Sequence, residues 1–221
     1  MFIISSAAQY RDPKESLRLL LELEQALFFL TGSEACRYGL GLHPKHRHTK
    51  YHDFFCNRLS RGETVLDLGC GMGALAYDMG RAGAIVTGID LNEENINTAR
   101  RRFSHKNITY IVGDVNGSVP EQTFDTVILS NVLEHLEDRV HFLRSVQQIV
   151  KPKRWLIRVP MYERDWRVPL MKELGVDYRL DATHCVEHTR KEFAAELGRA
   201  GLKLLDSEHA WGEIWSEVVT E

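Results

Sequence analysis

From residue 64 onward the chain alternates short β-branched runs with segments of helical periodicity, and this alternation constrains its fold more than any other feature. The runs are Thr64-Val65-Leu66-Asp67-Leu68, Ile85-Val86-Thr87-Gly88-Ile89, Ile108-Thr109-Tyr110-Ile111-Val112, Thr126-Val127-Ile128-Leu129 and Trp155-Leu156-Ile157-Arg158-Val159. Helices fit at about 73–82, 92–103, 133–150 and 189–200, and two more strands near 202–208 and 212–219. Strands that are apolar on both faces and separated by helices build a parallel sheet covered on both sides. Right-handed crossovers then bring the loops after the strands to one edge, where ligands bind.

Upstream, Leu17, Leu20, Leu21, Leu27 and Phe28 recur at helical spacing over 14–31, and Thr31-Gly32-Ser33 reads as the stop. Residues 1–60 are therefore expected to be a helical extension of the same domain, covering substrate and cofactor, and 61–221 its core. Between them in role lies 161–183, with Tyr162, Trp166 and Tyr178 among Arg164, Arg167 and Lys172. An aromatic and cationic loop over the binding edge suits a substrate lid.

Charge narrows the partners. There are 28 Lys+Arg against 31 Asp+Glu, a net −3, whereas a nucleic-acid or anionic-membrane binder needs a basic field. Cys36, Cys56, Cys70 and Cys185 form no CxxC pair and read as reduced thiols. Met1-Phe2-Ile3-Ile4-Ser5-Ser6 has no basic n-region, and the apolar stretch Leu19 to Leu30 is broken by Glu22, Glu24 and Gln25. The expectation is a cytoplasmic protein acting on a small molecule, with no nucleic acid and no membrane; its oligomeric state is not legible.

Asp67-Leu68-Gly69-Cys70-Gly71-Met72-Gly73 lies where the first strand meets a helix. Glycines let the backbone turn sharply and approach a ligand, while the helix N-terminus offers unpaired N–H groups. Gly69-x-Gly71-x-x-Ala74, with Asp90 about 20 residues on, also satisfies the dinucleotide fingerprint of a nicotinamide oxidoreductase. Asp67 separates the two readings. A carboxylate there repels a pyrophosphate but suits a ligand bearing an ammonium and a sulfonium, as S-adenosylmethionine (SAM) does.

Val65-Leu66-Asp67-Leu68-Gly69-Cys70-Gly71-Met72-Gly73 resembles the first motif of class I SAM-dependent methyltransferases, in their small-molecule branch. Gly88-Ile89-Asp90-Leu91, Gly113-Asp114-Val115, Phe124 through Leu136, Val150-Lys151-Pro152 and His184 through Thr189 resemble the later motifs in order. Lys153-Arg154 stands where the family's turn has a glycine pair. The resemblance implies a Rossmann-like α/β fold: a mostly parallel seven-stranded sheet with helices on both faces, the last hairpin containing one antiparallel strand. It implies that Asp67, Gly69, Cys70, Gly71 and Gly73 cradle SAM. Asp90 would bind the ribose hydroxyls, Leu91 the adenine face, and Asp114 with Val115 the adenine edge, while Ser130 and Asn131 lie near the methyl. The product is S-adenosylhomocysteine (SAH).

His135, at the start of the helix after strand four, is the candidate general base for a hydroxyl or amino acceptor on a sugar, glycan precursor or other metabolite. In His43-Pro44-Lys45-His46-Arg47-His48, Arg47 is the candidate for the SAM carboxylate or an anionic substrate. His48 and His52, and His184 and His188, have i,i+4 spacing, but no carboxylate or cysteine completes a familiar ligand set, so no metal is expected. An RNA methyltransferase and a non-catalytic SAM-binding protein remain as alternatives.

Overall fold

The computed structural model describes residues 12–220. The opening segment Met1 to Ser6 lies outside the described residues. Seven strands form one sheet: β1 (Thr64–Leu68), β2 (Ile85–Asp90), β3 (Ile108–Val112), β4 (Thr126–Ser130), β5 (Arg154–Pro160), β6 (Leu202–Ala210) and β7 (Glu213–Thr220). Their order is β3-β2-β1-β4-β5-β7-β6, with β1 to β5 mutually parallel and β7 antiparallel to both β5 and β6. This is the mostly parallel, seven-stranded, Rossmann-like sheet that the sequence implies.

Alternation along the strands sorts the core into two layers. Leu66, Leu68, Val127, Leu129 and Ile157 pack on one face against Phe142, Leu143 and Val146 of the helix Arg139–Val150 and Phe193 and Leu197 of Arg190–Arg199. Val65, Val86, Ile128 and Leu156 pack on the other against Leu75 and Met79 of Ala74–Ala82, Ile96 of Glu93–Arg102, and Phe54 and Phe55. In chain order the helices are α1 (Pro13–Tyr38), α2 (Lys45–Thr49), α3 (Tyr51–Cys56), α4 (Ala74–Ala82), α5 (Glu93–Arg102), α6 (Arg139–Val150), α7 (Arg167–Leu174) and α8 (Arg190–Arg199).

Three local expectations are corrected. Helix α1 runs through Thr31-Gly32-Ser33 to Tyr38, since one interior glycine costs a helix only about 1 kcal/mol. The segment after β4 is a 3₁₀ turn, Leu133–His135; α6 begins at Arg139, where the Asp138 carboxylate accepts from the His141 N–H at 3.1 Å. The 161–183 segment contains the 3₁₀ turn Tyr162–Arg164 and α7, and α7 is tied to α1 by a small core of Leu21, Met171 and Val176. The turn without its glycine pair bends instead at Lys151, which takes a φ of 51°. Helix α8 opens on a capping box in which Thr189 Oγ1 accepts from the Glu192 N–H and the Glu192 carboxylate accepts from the Thr189 N–H. No helix among the described residues is long and apolar enough to cross a membrane.

Candidate active site

Because β1, β2 and β4 are parallel neighbours, the sequence-predicted residues at their carboxyl ends converge on one edge. Two cavities meet there. One, of about 270 Å³, is lined by Asp67, Gly69, Cys70, Gly71, Ser130 and Asn131, with Lys45, His46, Tyr51 and Arg158 closing the far side. The other, of about 710 Å³, is lined by Asp90, Leu91, Asp114, Val115 and His135. Gly69 and Asn131 line both, so the cavities form one bent trough.

The loop's conformation explains its composition. Gly73, at φ 85°, is the N-cap of α4, and a Cβ there would lie 2.6 Å from the Tyr110 hydroxyl. Gly71, at φ 53°, has nothing within 4 Å of a Cβ position, so any side chain there would extend into free space beside the trough. Its N–H donates to Asp90 Oδ2 at 2.8 Å, which joins the loop to the end of β2. The other Asp90 oxygen accepts from Asn92 N at 2.9 Å and Asn95 Nδ2 at 3.1 Å. Leu91 beside it is 71% exposed, an uncovered apolar face at the cavity wall. Asp114 closes an Asx turn onto the Asn116 N–H at 2.9 Å.

Electrostatics single out two carboxylates. Asp67 is buried with Oδ2 unpartnered, and burial, with the charge of Asp90 second, pushes its pKa up to about 7. Glu134 is fully buried with neither carboxylate oxygen bonded, and burial pushes it up to about 8. Asn131 holds a left-handed φ of 57°, and its Oδ1 is likewise buried without a partner. Orphaned buried polar atoms are rare in folded proteins, and those of Asp67 and Asn131, both of which line the trough, fit one shaped for a polar ligand.

His135 is positioned by contacts that its motif does not disclose. Its Nδ1 lies 2.9 Å from Thr183 Oγ1, and its ring packs at 4.7 Å on that of His184. Burial, then the neighbouring His184, lowers its pKa from the ordinary histidine value, which favours the neutral, proton-accepting form. Glu134, His135 and His184 each place one ligand atom so that all three lie within 4.8 Å of one another. Only the fold joins them, since His184 lies 50 and 49 residues from Glu134 and His135 in the sequence. The i,i+4 histidine pairs do not form ligand sets. Lys50 breaks the helix between His48 and His52, while His184 bonds Glu187 at 3.0 Å and His188 bonds Glu196 at 2.9 Å.

Arg47 is exposed, lies 5.8 Å over the Tyr38 ring, and lines a neighbouring cavity that shares Leu42, His43, His46 and Ala74 with the smaller one. The cations that line the trough are Lys45 and Arg158. Arg158 is buried and fully engaged: it pairs bidentately with Glu213 at 2.6 Å, donates to Ser130 Oγ at 3.1 Å, and stacks 3.7 Å over Tyr51. The Tyr51 hydroxyl meets His46 Nδ1 at 2.8 Å; His46 meets His52 at 3.1 Å, and His52 meets Asp78 at 2.6 Å. Sequence reasoning missed Arg158 because it reads there as one polar residue within an apolar strand.

A mostly parallel sheet in this order, with a glycine loop after β1 and an acid after β2 on one ligand-binding edge, defines the class I SAM-dependent methyltransferases, whose cofactor is SAM. The chain belongs to this group: residues 43–207 match the family model described as a methyltransferase domain. The oxidoreductase reading of the same glycines falls with that assignment. Among relatives, the ubiquinone biosynthesis O-methyltransferase of Bordetella avium is 35% identical over 153 residues, 65% of this chain and 63% of that protein. The human mitochondrial ubiquinone biosynthesis O-methyltransferase is 43% identical over 98 residues, 41% of this chain and 27% of that protein. The chain thus spans less than two thirds of the length of these relatives. The magnesium protoporphyrin IX methyltransferase of Synechocystis PCC 6803, solved with bound SAH, superposes with a TM-score of 0.63 at 20% identity, covering 79% of this chain and 84% of that one.

Proposed function

We propose that the protein transfers the SAM methyl to a hydroxyl oxygen of a small-molecule acceptor, with His135 as the base. The observation that carries this is the His135 ring at the wall of the trough, its Nδ1 2.9 Å from Thr183 Oγ1. In this reading the larger cavity takes adenosine, with Asp90 on the ribose hydroxyls, Leu91 on the adenine face, and Asp114 and Val115 at its edge. The smaller cavity takes the methionine half, against Asp67, Gly69, Cys70, Gly71 and Gly73, with Ser130 and Asn131 at the methyl. Protonated Asp67 in the empty trough is ready to ionise when the cationic ligand arrives.

The transfer is then an in-line displacement. The acceptor oxygen attacks the methyl carbon, the sulfonium leaves as the neutral thioether of SAH, and His135 takes the hydroxyl proton. Positioning supplies up to roughly 7–11 kcal/mol of such a barrier, and a base typically 10²–10⁴-fold. The names of the ubiquinone O-methyltransferases support oxygen as the nucleophile. The layer made by α1 and the 161–183 segment is the cover through which the acceptor enters, in a protein working as part of one 1–221 domain.

Substituting His135→Ala is expected to lower turnover by about 10²–10⁴-fold while SAH affinity changes little, measured by product formation and calorimetry. Equal losses in both would make His135 a cofactor-packing residue. Because its pKa lies below 6.5, the acid limb of the rate profile should also lie below 6.5. The unbonded Glu134 carboxylate favours a second reading, in which Glu134, His135 and His184 hold a divalent cation that polarises the acceptor hydroxyl. Loss of turnover on chelation, restored by Mg²⁺ or Mn²⁺, would select it.

A further inference from the structure

A further cavity, of about 450 Å³, opens between α1, the 161–183 segment and the β6–β7 turn. Lys45 lines both it and the methionine half of the trough, so the two communicate at that side chain. Other charges around this cavity are already paired. Arg167 engages Glu24 and Asp165, Arg164 engages Glu187, and Glu213 engages Arg158. The Lys45 amine differs: among the described residues it has no hydrogen bond and no carboxylate within ion-pair distance. The residue is exposed overall, yet desolvation where it borders the trough, then the charge of Arg158, lowers its pKa.

The mouth of the same cavity carries a second peculiarity. Trp211 takes a left-handed φ of 56°, costly for a non-glycine residue, yet its side chain is left 69% exposed. The turn is held in place. Met161 N donates to Gly212 O at 2.8 Å, and Gly212 sits so close that a Cβ would lie 2.9 Å from that of Arg164. The two-residue β6–β7 turn calls for positive φ at both Trp211 and Gly212, and the indole it leaves uncovered is a platform for stacking a ring. Phe28, Met171, Tyr178 and Leu180 continue the apolar wall inward from it.

We propose that this cavity binds the methyl acceptor, and that the acceptor is an acidic ring compound: its ring stacks on Trp211 and its carboxylate or phosphate accepts from Lys45. The inference rests on the methyl-transfer reading of the trough. It gives to Lys45 the recognition of an anion that the sequence had suggested for Arg47, and it directs the acceptor's hydroxyl toward the methyl. The amine beneath is a charge-assisted donor freed from competing carboxylates.

The test is calorimetric titration of the SAH-loaded protein with 3,4-dihydroxybenzoate and glucose 1-phosphate, each against its uncharged counterpart, catechol and methyl glucoside. One acid should bind at least about tenfold more tightly than its counterpart, and which one does so distinguishes an aromatic from a sugar acceptor. Lys45→Met should erase that preference, and Lys45→Arg should retain it. Trp211→Ala should weaken acid and counterpart alike. Equal binding of both acids and their counterparts overturns the proposal, as does a preference that survives Lys45→Met. Failure of SAH itself to bind overturns this inference and the methyl-transfer reading together.

Discussion

At the amino ends of β4 and β5, Arg154 reaches Glu63 at 2.9 Å and Glu217 at 3.0 Å, while Lys153 pairs with Asp125 at 2.7 Å. At the carboxyl ends of β1 and β4, Asp67 is buried with an unpartnered oxygen and Glu134 with two. The carboxyls respond in opposite directions. Hydrogen bonds from Lys153, then from the Thr64 N–H and hydroxyl, hold Asp125 down at about 2, and Glu63 is lowered by Thr126, Ser60 and Arg154 even though burial alone would raise it. Burial holds Asp67 up at about 7 and Glu134 at about 8. The amino ends satisfy their charges internally, whereas around the glycine loop two carboxyls stay unbonded beside the paired Arg158 and Glu213. In the proposed reading, stability and binding capacity are built at opposite ends of the same strands.

The largest break in this contrast is expected from Arg154→Met, which takes the guanidinium away from two part-buried carboxylates, Glu63 and Glu217. A loss of roughly 3 kcal/mol, read as a fall in Tm of about 6–12 °C, should leave SAH affinity untouched in the folded protein. Asp90→Ala tests the other end. It removes the acceptor for the ribose hydroxyls and for Gly71 N, and calorimetry should find SAH binding weakened by about a hundredfold with little change in Tm. Unchanged affinity would remove Asp90 from the site.

Asp67→Asn sharpens the comparison with the smallest effect. The folded-state pKa of Asp67 is raised, so its stabilising contribution is complete below about 4 and lost as pH rises through about 7. The asparagine variant has no such proton to lose. Its melting temperature should exceed that of the parent by a few degrees at pH 8, from about 1 kcal/mol, and the gap should close as pH falls toward about 4. A gap that does not narrow with falling pH would mean that Asp67 is ionised in the folded protein before SAM binds.

The sheet and its glycine loop were legible because local signals and long-range packing agree there. Period-two runs such as Val65 to Leu68 are buried on both faces, and Gly73 occupies a turn that needs a positive φ. Legibility failed where the outcome depends on contacts distant in sequence. His135 is positioned by Thr183 and His184, 48 and 49 residues away, and the distinction between Arg47 and Lys45 is set by how α2 lies against β5 and β7. The Asp138 cap is the one miss whose signal was local: an aspartate directly before Arg139 marks where α6 begins. Arg154 shows the converse, a departure from the family's turn that proves to anchor three elements.

Strand β7 follows β6 in the chain yet lies between β6 and β5 in the sheet, and from it Glu213 reaches Arg158. During synthesis, β5 therefore waits with an exposed edge and a lone guanidinium until β7 emerges and slots in beside it. Ligand-binding competence is among the last properties a nascent chain acquires, so a ribosome-stalled fragment ending before Glu213 should hold much of its core and still fail to retain SAH.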